Sequence, residues 1–479
     1  MSYLALIHFH FADTMRRMAC KGLADYLEVL SARGDLARVA VPVDADLEIA
    51  EITRRVANSG GPALLFEKVG SGSLAIATNL LGTTRRACAA LGIDALDDLP
   101  DRLESAIAEH TPQNWFDRLK LAGTDSGLEK LRPKPIKQAP CQQVVHLGRD
   151  VELAAFPFVR AGQQETAPSV TAGLCVTESL QSQQRGVTRL PLVVLDTNRL
   201  VAQDDGNSAL ARHFREYQAH GERLPAAIVL GGDPALLPLS DLALPPSVDL
   251  WHLAGILRGR PLDVIKCRTH ELVVPADAEL ILEGYFDPDA ADEIGVVFHV
   301  AAITQRTRAI LPAIIDTGTH GDLATLVKVR ERALLTQLRT LNPNIRDFCL
   351  PAVGGPHAFA VVSLASASAG LVRQVAAAVW GSDALRFTRF LAIVDADINV
   401  HAPSHVLSAI GANVAPERDV FMFDGPAYSG DLEVASAQLS RRIGIDATSK
   451  GGLHATSRAA AGEEALRLVT ARWAEYGLS

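Results

Sequence analysis

The chain has 479 residues, a formal net charge of −9, 48% hydrophobic residues and 5% aromatic residues. At roughly 150 residues per domain, this length predicts two to four domains. The acidic balance offers no global positive field to nucleic acid or to an anionic membrane, and so few aromatic residues argue against a stacking platform for single strands.

The cysteine and hydropathy patterns exclude further classes of protein. The six cysteines are scattered without a C-x-x-C pair, which argues against a zinc site of the usual spacing and against a disulfide scaffold. The first apolar run is interrupted by His8 and His10, unlike a signal peptide, and no apolar stretch reaches the roughly 18 residues of a transmembrane helix. We therefore expect a cytoplasmic protein without a membrane partner.

Residues 1–115 are predicted to form an N-terminal α/β domain. Apolar residues at helical spacing from Leu23 to Leu30 predict a helix, and the alternating pattern after Gly34 predicts a strand. Asp46 is predicted to N-cap a second helix, which a glycine pair ends before the strand "ALLFEKV".

The rest of the chain divides into three segments. Residues 116–140 are rich in proline and lysine and lack periodicity, so they are predicted to be a linker. Between 141 and 315, short apolar runs such as "LPLVVLDTN", "AAIVLGG" and "VVFHVAAITQR" predict a sheet or barrel domain. From 316 to 479, helical patterns alternate with apolar strands and predict a second α/β domain, which ends in a helix suited to docking or assembly.

Three short motifs were weighed as candidate sites. In "AIVLGGDPALLPL", Asp233 and Pro234 suit the start of a helix. The two glycines before them either hold a phosphate or form a tight turn. The tight turn is the favoured interpretation. "DADINVH" lacks the glycine and the last glutamate of a calcium loop, so it predicts a strand followed by an acidic turn. In "GRPLDVIKCRTH", Cys267 beside Lys266 is predicted to be a buried, inert thiol rather than an activated one.

The stretch "LEGYFDPDAADEIGVVFHV", residues 282–300, places five carboxylates between two predicted strands without a basic residue among them. The pattern predicts a strand, a short acidic turn and a second strand. The turn is a catalytic loop, the shortened remainder of one, or a solvated hairpin.

The order of segments resembles the UbiD family of decarboxylases. The resemblance extends over nearly the whole chain and is carried by "DLEIAEITRRVANSGGPALLFEKV", "ATNLLGTTRRACAALG", "LPAAIVLGGDPALL", "LAGILRGRPLDVIKC", "VPADAELILEGY", "FHVAAITQR", "RFLAIVDADINV" and "IGIDATSK". It implies an α/β (α+β) fold with an N-terminal α/β domain, a central split β-barrel of flavin-reductase type and a C-terminal α/β domain. It also implies prenylated FMN (prFMN) as cofactor, a small carboxylic acid as substrate, and a homo-oligomer or assembly with a UbiD-type paralogue.

The resemblance also implies catalytic residues. The family's loop after "LEGY" carries two acids in E-G-P-[FY]-G-[ED]. Here the loop is shorter, Glu293 lies one position from the first acid, and the second has no counterpart. The family's catalytic arginine falls at Pro191, and Arg189, two residues away, keeps the same strand face.

The family's metal ligands and flavin-phosphate contacts are only partly matched. The asparagine ligand falls on Gly186 and the histidine ligand falls near Asn207, while Asp263 replaces the glutamate ligand. A divalent metal would therefore lack its full ligand set, and the phosphate charge would need other cations. The resemblance nominates Lys266, Arg386 and Arg389, together with Arg189.

Three functions follow from this comparison of motifs. The first is a divergent UbiD-like (de)carboxylase of aromatic or α,β-unsaturated acids. The second is a non-catalytic subunit that assembles with an active paralogue, and the third is an enzyme whose cofactor site has been rebuilt. Fold-level resemblance predicts the fold, whereas function depends on the site.

Overall fold

The computed structural model describes residues 20–70, 72, 74–108, 129–204, 206, 208–242, 244, 248–292, 295–351, 358–426, 439–450 and 463–476. The chain forms two compact units, one built mainly from residues up to Leu341 and one built mainly from Asn342 onward. In the described part of the chain, no helix is both long enough and apolar enough to span a membrane. The cytoplasmic location stays a prediction.

The first unit contains helices and strands in alternation. Its described α-helices are α1 (Leu23–Ala32), α2 (Glu48–Asn58), α3 (Thr84–Leu91), α4 (Leu99–Ala108), α5 (Ala209–His220), α6 (Leu236–Ser240), α7 (Leu250–Arg258) and α8 (Gly321–Leu341). Its described strands are β1 (Leu36–Val39), β2 (Ala63–Phe66), β3 (Ala75–Thr78), β4 (Lys134–Pro135), β5 (Val144–Leu147), β6 (Ser169–Val170), β7 (Leu174–Glu178), β8 (Arg185–Arg189), β9 (Leu192–Val194), β10 (Arg199–Ala202), β11 (Leu224–Leu230), β12 (Asp263–Lys266), β13 (Val273–Pro275), β14 (Leu280–Asp292), β15 (Gly295–Gln305) and β16 (Ile310–Ala313).

The N-terminal α/β layer has the predicted helix–strand order, with one correction at a helix start. Its sheet runs β1-β2-β3-β16, so a strand from the end of the central segment completes it. Helix α2 begins after Leu47, which has a φ of 67° and no side-chain cap, and not after Asp46. Asp46 instead donates its backbone N–H to the Asp44 carboxylate, and Asp44 in turn donates to Glu48, so a local turn replaces the predicted cap.

The central segment forms the predicted curled antiparallel sheet. Its order is β6-β9-β10-β15-β14-β11-β7-β8, with β5 paired to β15. Successive residues of β11 point to opposite faces and are buried on both: Ile228 lies in one core cluster and Val229 lies in the other. Burial on both faces explains why these strands read as continuous apolar runs rather than alternating ones. The fold-class prediction is confirmed.

The chain segments that come before and after the central segment belong to other parts of the fold. Lys134–Pro135, in the predicted linker, pairs in parallel with β12 as part of a three-stranded sheet, β13-β12-β4. Helix α8, which begins after the predicted domain start at residue 316, belongs to the first unit.

The acidic stretch forms two antiparallel strands, and the first strand extends through most of the predicted acidic turn. Pairing of β14 with β15 extends to Ala291↔Val296 and Asp292↔Gly295, with a register shift after Phe286. Glu283 is therefore inside a strand, and its side chain is fully buried, so it was wrongly assigned to the acidic turn. Asp287 forms an ion pair with Arg223 at 3.1 Å.

The second unit is a smaller α/β layer. Its described α-helices are α9 (Ala369–Gly381), α10 (Pro403–Asn413), α11 (Pro416–Asp419) and α12 (Glu463–Ala471), and its strands are β17 (Ile345–Cys349), β18 (Phe359–Leu364), β19 (Phe390–Asp395), β20 (Val420–Pro426) and β21 (Leu439–Asp446). The sheet order is β17-β18-β19-β21-β20. Strand β19 ends at Asp395, as the "DADINVH" motif predicted, and the Asp395 carboxylate accepts the Ser449 backbone N–H at 2.6 Å.

Candidate functional site

Arg189 ends strand β8 with its guanidinium clamped on a carboxylate. Its Nε donates to Asp241 Oδ1 at 2.7 Å and its Nη2 donates to Asp241 Oδ2 at 3.0 Å. Both side chains are 17% exposed. Burial opposes the charge on Arg189, but the Asp241 carboxylate more than offsets this, so the pKa of the guanidinium is raised. The pair joins the end of β8 to the end of α6.

Two predicted site residues, Glu293 and Asn207, lie outside the described residues. Their roles as catalytic acid and metal ligand stay predictions. The strand residues that flank Glu293, Asp292 and Gly295, are paired with each other across the hairpin.

The position of the family's asparagine ligand is filled by neighbouring side chains. A Cβ atom on Gly186 would lie 2.5 Å from Ala209 Cβ and 2.8 Å from His213 Cε1, both on α5. His213 is held in place because its Nδ1 shares a 2.9 Å hydrogen bond with Thr177 Oγ1. A ligand side chain therefore does not fit at position 186 of this backbone.

Asp263 begins β12 and is half-buried. Its acidic neighbour Asp277 is already paired with Arg306 at 3.1 Å. Burial raises the pKa of Asp277, Arg306 lowers it, and the charge of Asp263 raises it again. Among the described residues, no group of three His, Cys, Asp or Glu donors includes Asp263. The described residues thus do not fit the metal that the resemblance implies.

The three other predicted cations lie apart from Arg189 in sequence and have their own surroundings. Lys266 Nζ is 2.5 Å from Glu271 Oε1, and both side chains are exposed. Arg386 and Arg389 belong to the second unit, where Arg386 pairs with Asp383 at 3.2 Å. Their contact with a cofactor phosphate stays a prediction.

The glycine-rich turn after β11 is held by buried charges. Gly231 and Gly232 have φ values of 76° and 96°, which favour glycine, and Asp233 Oδ1 accepts the Ala235 N–H at 2.9 Å. Asp233 also pairs with Arg258 at 2.7 Å, with side-chain exposures of 1% and 3%. This arrangement supports the tight-turn interpretation of the motif.

An apolar cavity borders this turn. Its lining includes Leu23, Leu80, Leu174 and Leu237. The apolar lining does not suit a phosphate, and a volume of about 40 Å³ is too small for an aromatic ring. Beside the turn, the buried Nε of Arg260 has no hydrogen-bond partner among the described residues, which suits an anionic group.

Sequence reasoning missed Asp241 as the partner of Arg189 and Arg258 as the partner of Asp233. Arg189 and Asp241 are 52 positions apart, and Asp233 and Arg258 are 25 positions apart. No local motif spans such separations. The alternating pattern that places Arg189 on one strand face was the available signal, and it did not identify the partner.

The buried Glu279 makes the stability of the first unit depend on pH. Its Oε2 accepts the Ile310 N–H at 3.1 Å, and Oε1 lies 3.4 Å from Arg306 Nε. Burial raises the pKa of Glu279 to about 7 from 4.5, although Arg306 acts to lower it. The folded state therefore binds this proton more tightly than the unfolded state, and the resulting stability is lost as the pH rises from about 4.5 to about 7.

We expect the free energy of unfolding to fall by about 2–3 kcal/mol over that window. Glu279→Gln should remove most of this slope, whereas Glu67→Gln, at an exposed position, should keep it. Urea denaturation at several pH values measures both. An unchanged slope in Glu279→Gln would contradict the assignment.

Comparisons with known proteins identify the class. Three domain models match in order: the 3-octaprenyl-4-hydroxybenzoate carboxy-lyase N-terminal domain over residues 27–105, the Rift-related domain over 134–319 and the C-terminal domain over 324–447. An uncharacterized protein of Archaeoglobus fulgidus is 32% identical over 450 residues, which cover 90% of this chain and 92% of that protein. The chain belongs to the UbiD family.

Solved structures share the fold over most of the chain. The UbiD-class enzyme HmfF from Pelotomaculum thermopropionicum, in complex with FMN, is 24% identical with a TM-score of 0.74, covering 89% of this chain and 94% of that one. A dimeric evolved form of HmfF with prFMN is 23% identical with a TM-score of 0.74, covering 90% and 95%. Vanillic acid decarboxylase of Sedimentibacter hydroxybenzoicus, in closed form, is 21% identical with a TM-score of 0.79, covering 95% and 99%.

Proposed function

We propose that the chain is a UbiD-like (de)carboxylase that acts on an aromatic or α,β-unsaturated carboxylic acid with prenylated FMN. The three family domains in order support this proposal. HmfF, with FMN in one structure and prFMN in another, supports the cofactor, and vanillic acid decarboxylase supports the substrate class. The flavin would supply the covalent chemistry, while the chain orients the acid and provides a proton.

The proposal rests mainly on the bidentate hydrogen bonding of Arg189 to the Asp241 carboxylate. A planar guanidinium that donates through Nε and Nη2 to two oxygens has the geometry that recognises a carboxylic acid. Asp241 holds the Arg189 fork in this geometry. A substrate carboxylate would take the place of Asp241 on the same two donors.

The remaining chemistry needs a proton donor, and Glu293 is proposed for this role from its position in the shortened loop. A homo-oligomer is also proposed, since one HmfF structure is a dimeric form.

The test is co-expression with a prFMN-producing prenyltransferase, followed by native mass spectrometry and CO2-exchange assays on aryl acids. We expect near-stoichiometric prFMN and measurable exchange. Arg189→Lys keeps the positive charge but loses the two parallel donors of the guanidinium. The value of kcat/KM should therefore fall roughly 10- to 100-fold, as expected for a lost hydrogen bond to a charged group. Protein without bound flavin and without exchange would refute the proposal.

Arg185→Lys is the matched control for this variant. Arg185 lies on the same strand, four residues earlier, and contacts Asp249 through one nitrogen at 2.6 Å, which lysine can replace. It should retain near-parental kcat/KM. An equal loss in both variants would mean that Arg189 acts through strand stability rather than through a carboxylate.

A second candidate, a non-catalytic subunit of an assembly with an active paralogue, is favoured by two observations. The Arg189 fork already holds an internal carboxylate, and position 186 has no room for a ligand side chain. Asp241→Asn separates the two candidates. If the substrate carboxylate competes with Asp241 for Arg189, Asp241→Asn should lower KM. In a non-catalytic subunit, the same substitution should change only the free energy of unfolding.

The non-catalytic candidate also predicts stable co-purification with an intact UbiD-type chain. A rebuilt cofactor site would instead retain unprenylated FMN or another cofactor in the same mass spectra.

A further inference from the structure

Three donor side chains converge in the first unit, and none of them is a predicted site residue, although Cys267 directly follows Lys266. Cys267 follows β12, His270 lies in the loop before β13, and Glu283 lies in β14. One ligand atom of each lies within 4.8 Å of the others. The group connects the small three-stranded sheet to the nine-stranded sheet.

Glu283 presents one free carboxylate oxygen to this group. Its side chain is 0% exposed. Oε2 accepts hydrogen bonds from the backbone N–H of Arg268 at 2.7 Å and from the N–H and Oγ1 of Thr269 at 2.9 and 3.0 Å. Oε1 is buried without a hydrogen-bond partner among the described residues. A buried carboxylate oxygen without a donor is costly, so a positive partner is expected there.

His270 presents a lone pair to the same place. Its Nε2 lies 3.0 Å from the backbone oxygen of Ala226, which only accepts, so Nε2 carries the proton. Nδ1 is then the acceptor of the neutral ring, and it is buried without a partner among the described residues. This orientation is the one seen when a carbonyl fixes the tautomer of a metal-binding histidine.

Cys267 supplies a soft donor. Its thiol is buried, and burial, followed by the charge of Glu283, raises its pKa. The thiol is thus inert alone, as the sequence predicted. A bound cation reverses this preference, because a metal-coordinated thiol is deprotonated.

We propose that Cys267, His270 and Glu283 bind a zinc-class transition metal ion, with a fourth position open to water or another ligand. Sulfur, imidazole and carboxylate together match zinc rather than magnesium or calcium. Ligand atoms around tetrahedral zinc lie roughly 3.3–3.8 Å apart, so the loop would close by about 1 Å. This set contains none of the residues that match the family's metal ligands.

The test uses purified wild-type chain, treated with a chelator and titrated with CoCl2 and then ZnCl2. We expect one equivalent of Co2+ to give a thiolate-to-cobalt charge-transfer band that Zn2+ abolishes. Cys267→Ala should remove the band, and His270→Ala should weaken affinity at least about 10-fold, as for loss of a ligand. Cys88→Ala, which removes another buried thiol in α3, should leave both unchanged.

Neither flavin nor activity enters this measurement, so it is independent of the proposed function. Circular dichroism of each variant establishes folding. If His270→Ala does not fold, the comparison of wild type, Cys267→Ala and Cys88→Ala still decides. Wild-type protein that gives no band would overturn the proposal. A band retained in Cys267→Ala would also overturn it, and in either case a proton on Nδ1 would be the partner of Glu283.

Discussion

Replacing Arg258 with methionine is expected to lower the free energy of unfolding of the first unit by about 3–5 kcal/mol, the cost of removing one partner from a buried ion pair. Arg258 Nη2 donates to Asp233 Oδ1 at 2.7 Å and to the backbone oxygen of Ala90 at 2.6 Å. It therefore ties α7 to the glycine-rich turn and to α3. Without it, Arg260 at 3.6 Å is the one cationic partner that the buried Asp233 carboxylate keeps among the described residues.

Urea denaturation of Arg258→Met measures this loss. Arg55→Met is the matched control, because Arg55 pairs with Glu51 on an exposed helix face and should contribute under about 1 kcal/mol. The double variant Arg258→Met/Asp233→Asn should be more stable than the sum of the single effects predicts, since no charge is left buried. Equal destabilisation by Arg258→Met and Arg55→Met would contradict the role of burial.

The sequence predicts the local elements because their determinants are local. The apolar spacing from Leu23 to Leu30 places four residues on one face, and all four are buried in α1. The apolar run of β11 also predicts a strand, since its residues are buried on both faces. Asp46 was wrong as a helix cap because its carboxylate pairs with Arg160 at 2.6 Å, a residue 114 positions later that no local pattern indicates.

The candidate site is harder to predict because its determinants join distant segments. Arg189 could be placed on a strand face, yet its state depends on Asp241, which follows α6. Glu283 appeared to belong to an acidic turn. Its burial becomes evident only once β14 extends to Asp292 and the loop after β12 folds over it. A run of acidic residues in a sequence can therefore include both a buried hydrogen-bond acceptor and charges at the surface. Only the packed structure distinguishes the two.

The resemblance to the family motif and the packing around Gly186 give different information about the family's metal site. The family motif places its asparagine ligand at Gly186, and a missing ligand can in principle be restored by mutation. The structure shows that Ala209 and His213 of α5 occupy the space that such a side chain would need. Restoring the ligand would therefore require a change in α5 as well as in β8.

Replacing Gly186 with asparagine, the family's ligand, is expected to destabilise the first unit by about 3 kcal/mol, at the upper end for overpacking. The new Cβ would lie 2.5 Å from Ala209 Cβ, and His213 cannot yield without losing its bond to Thr177. Ala209→Gly should recover part of the loss in the double variant. Gly411→Asn, where nothing lies within 4 Å of a Cβ, is the control and should change stability by under about 1 kcal/mol. Urea denaturation with and without Mn2+ checks the expectation, because a stable Gly186→Asn chain that gains Mn2+ affinity would show that the family's metal site is still open in this fold.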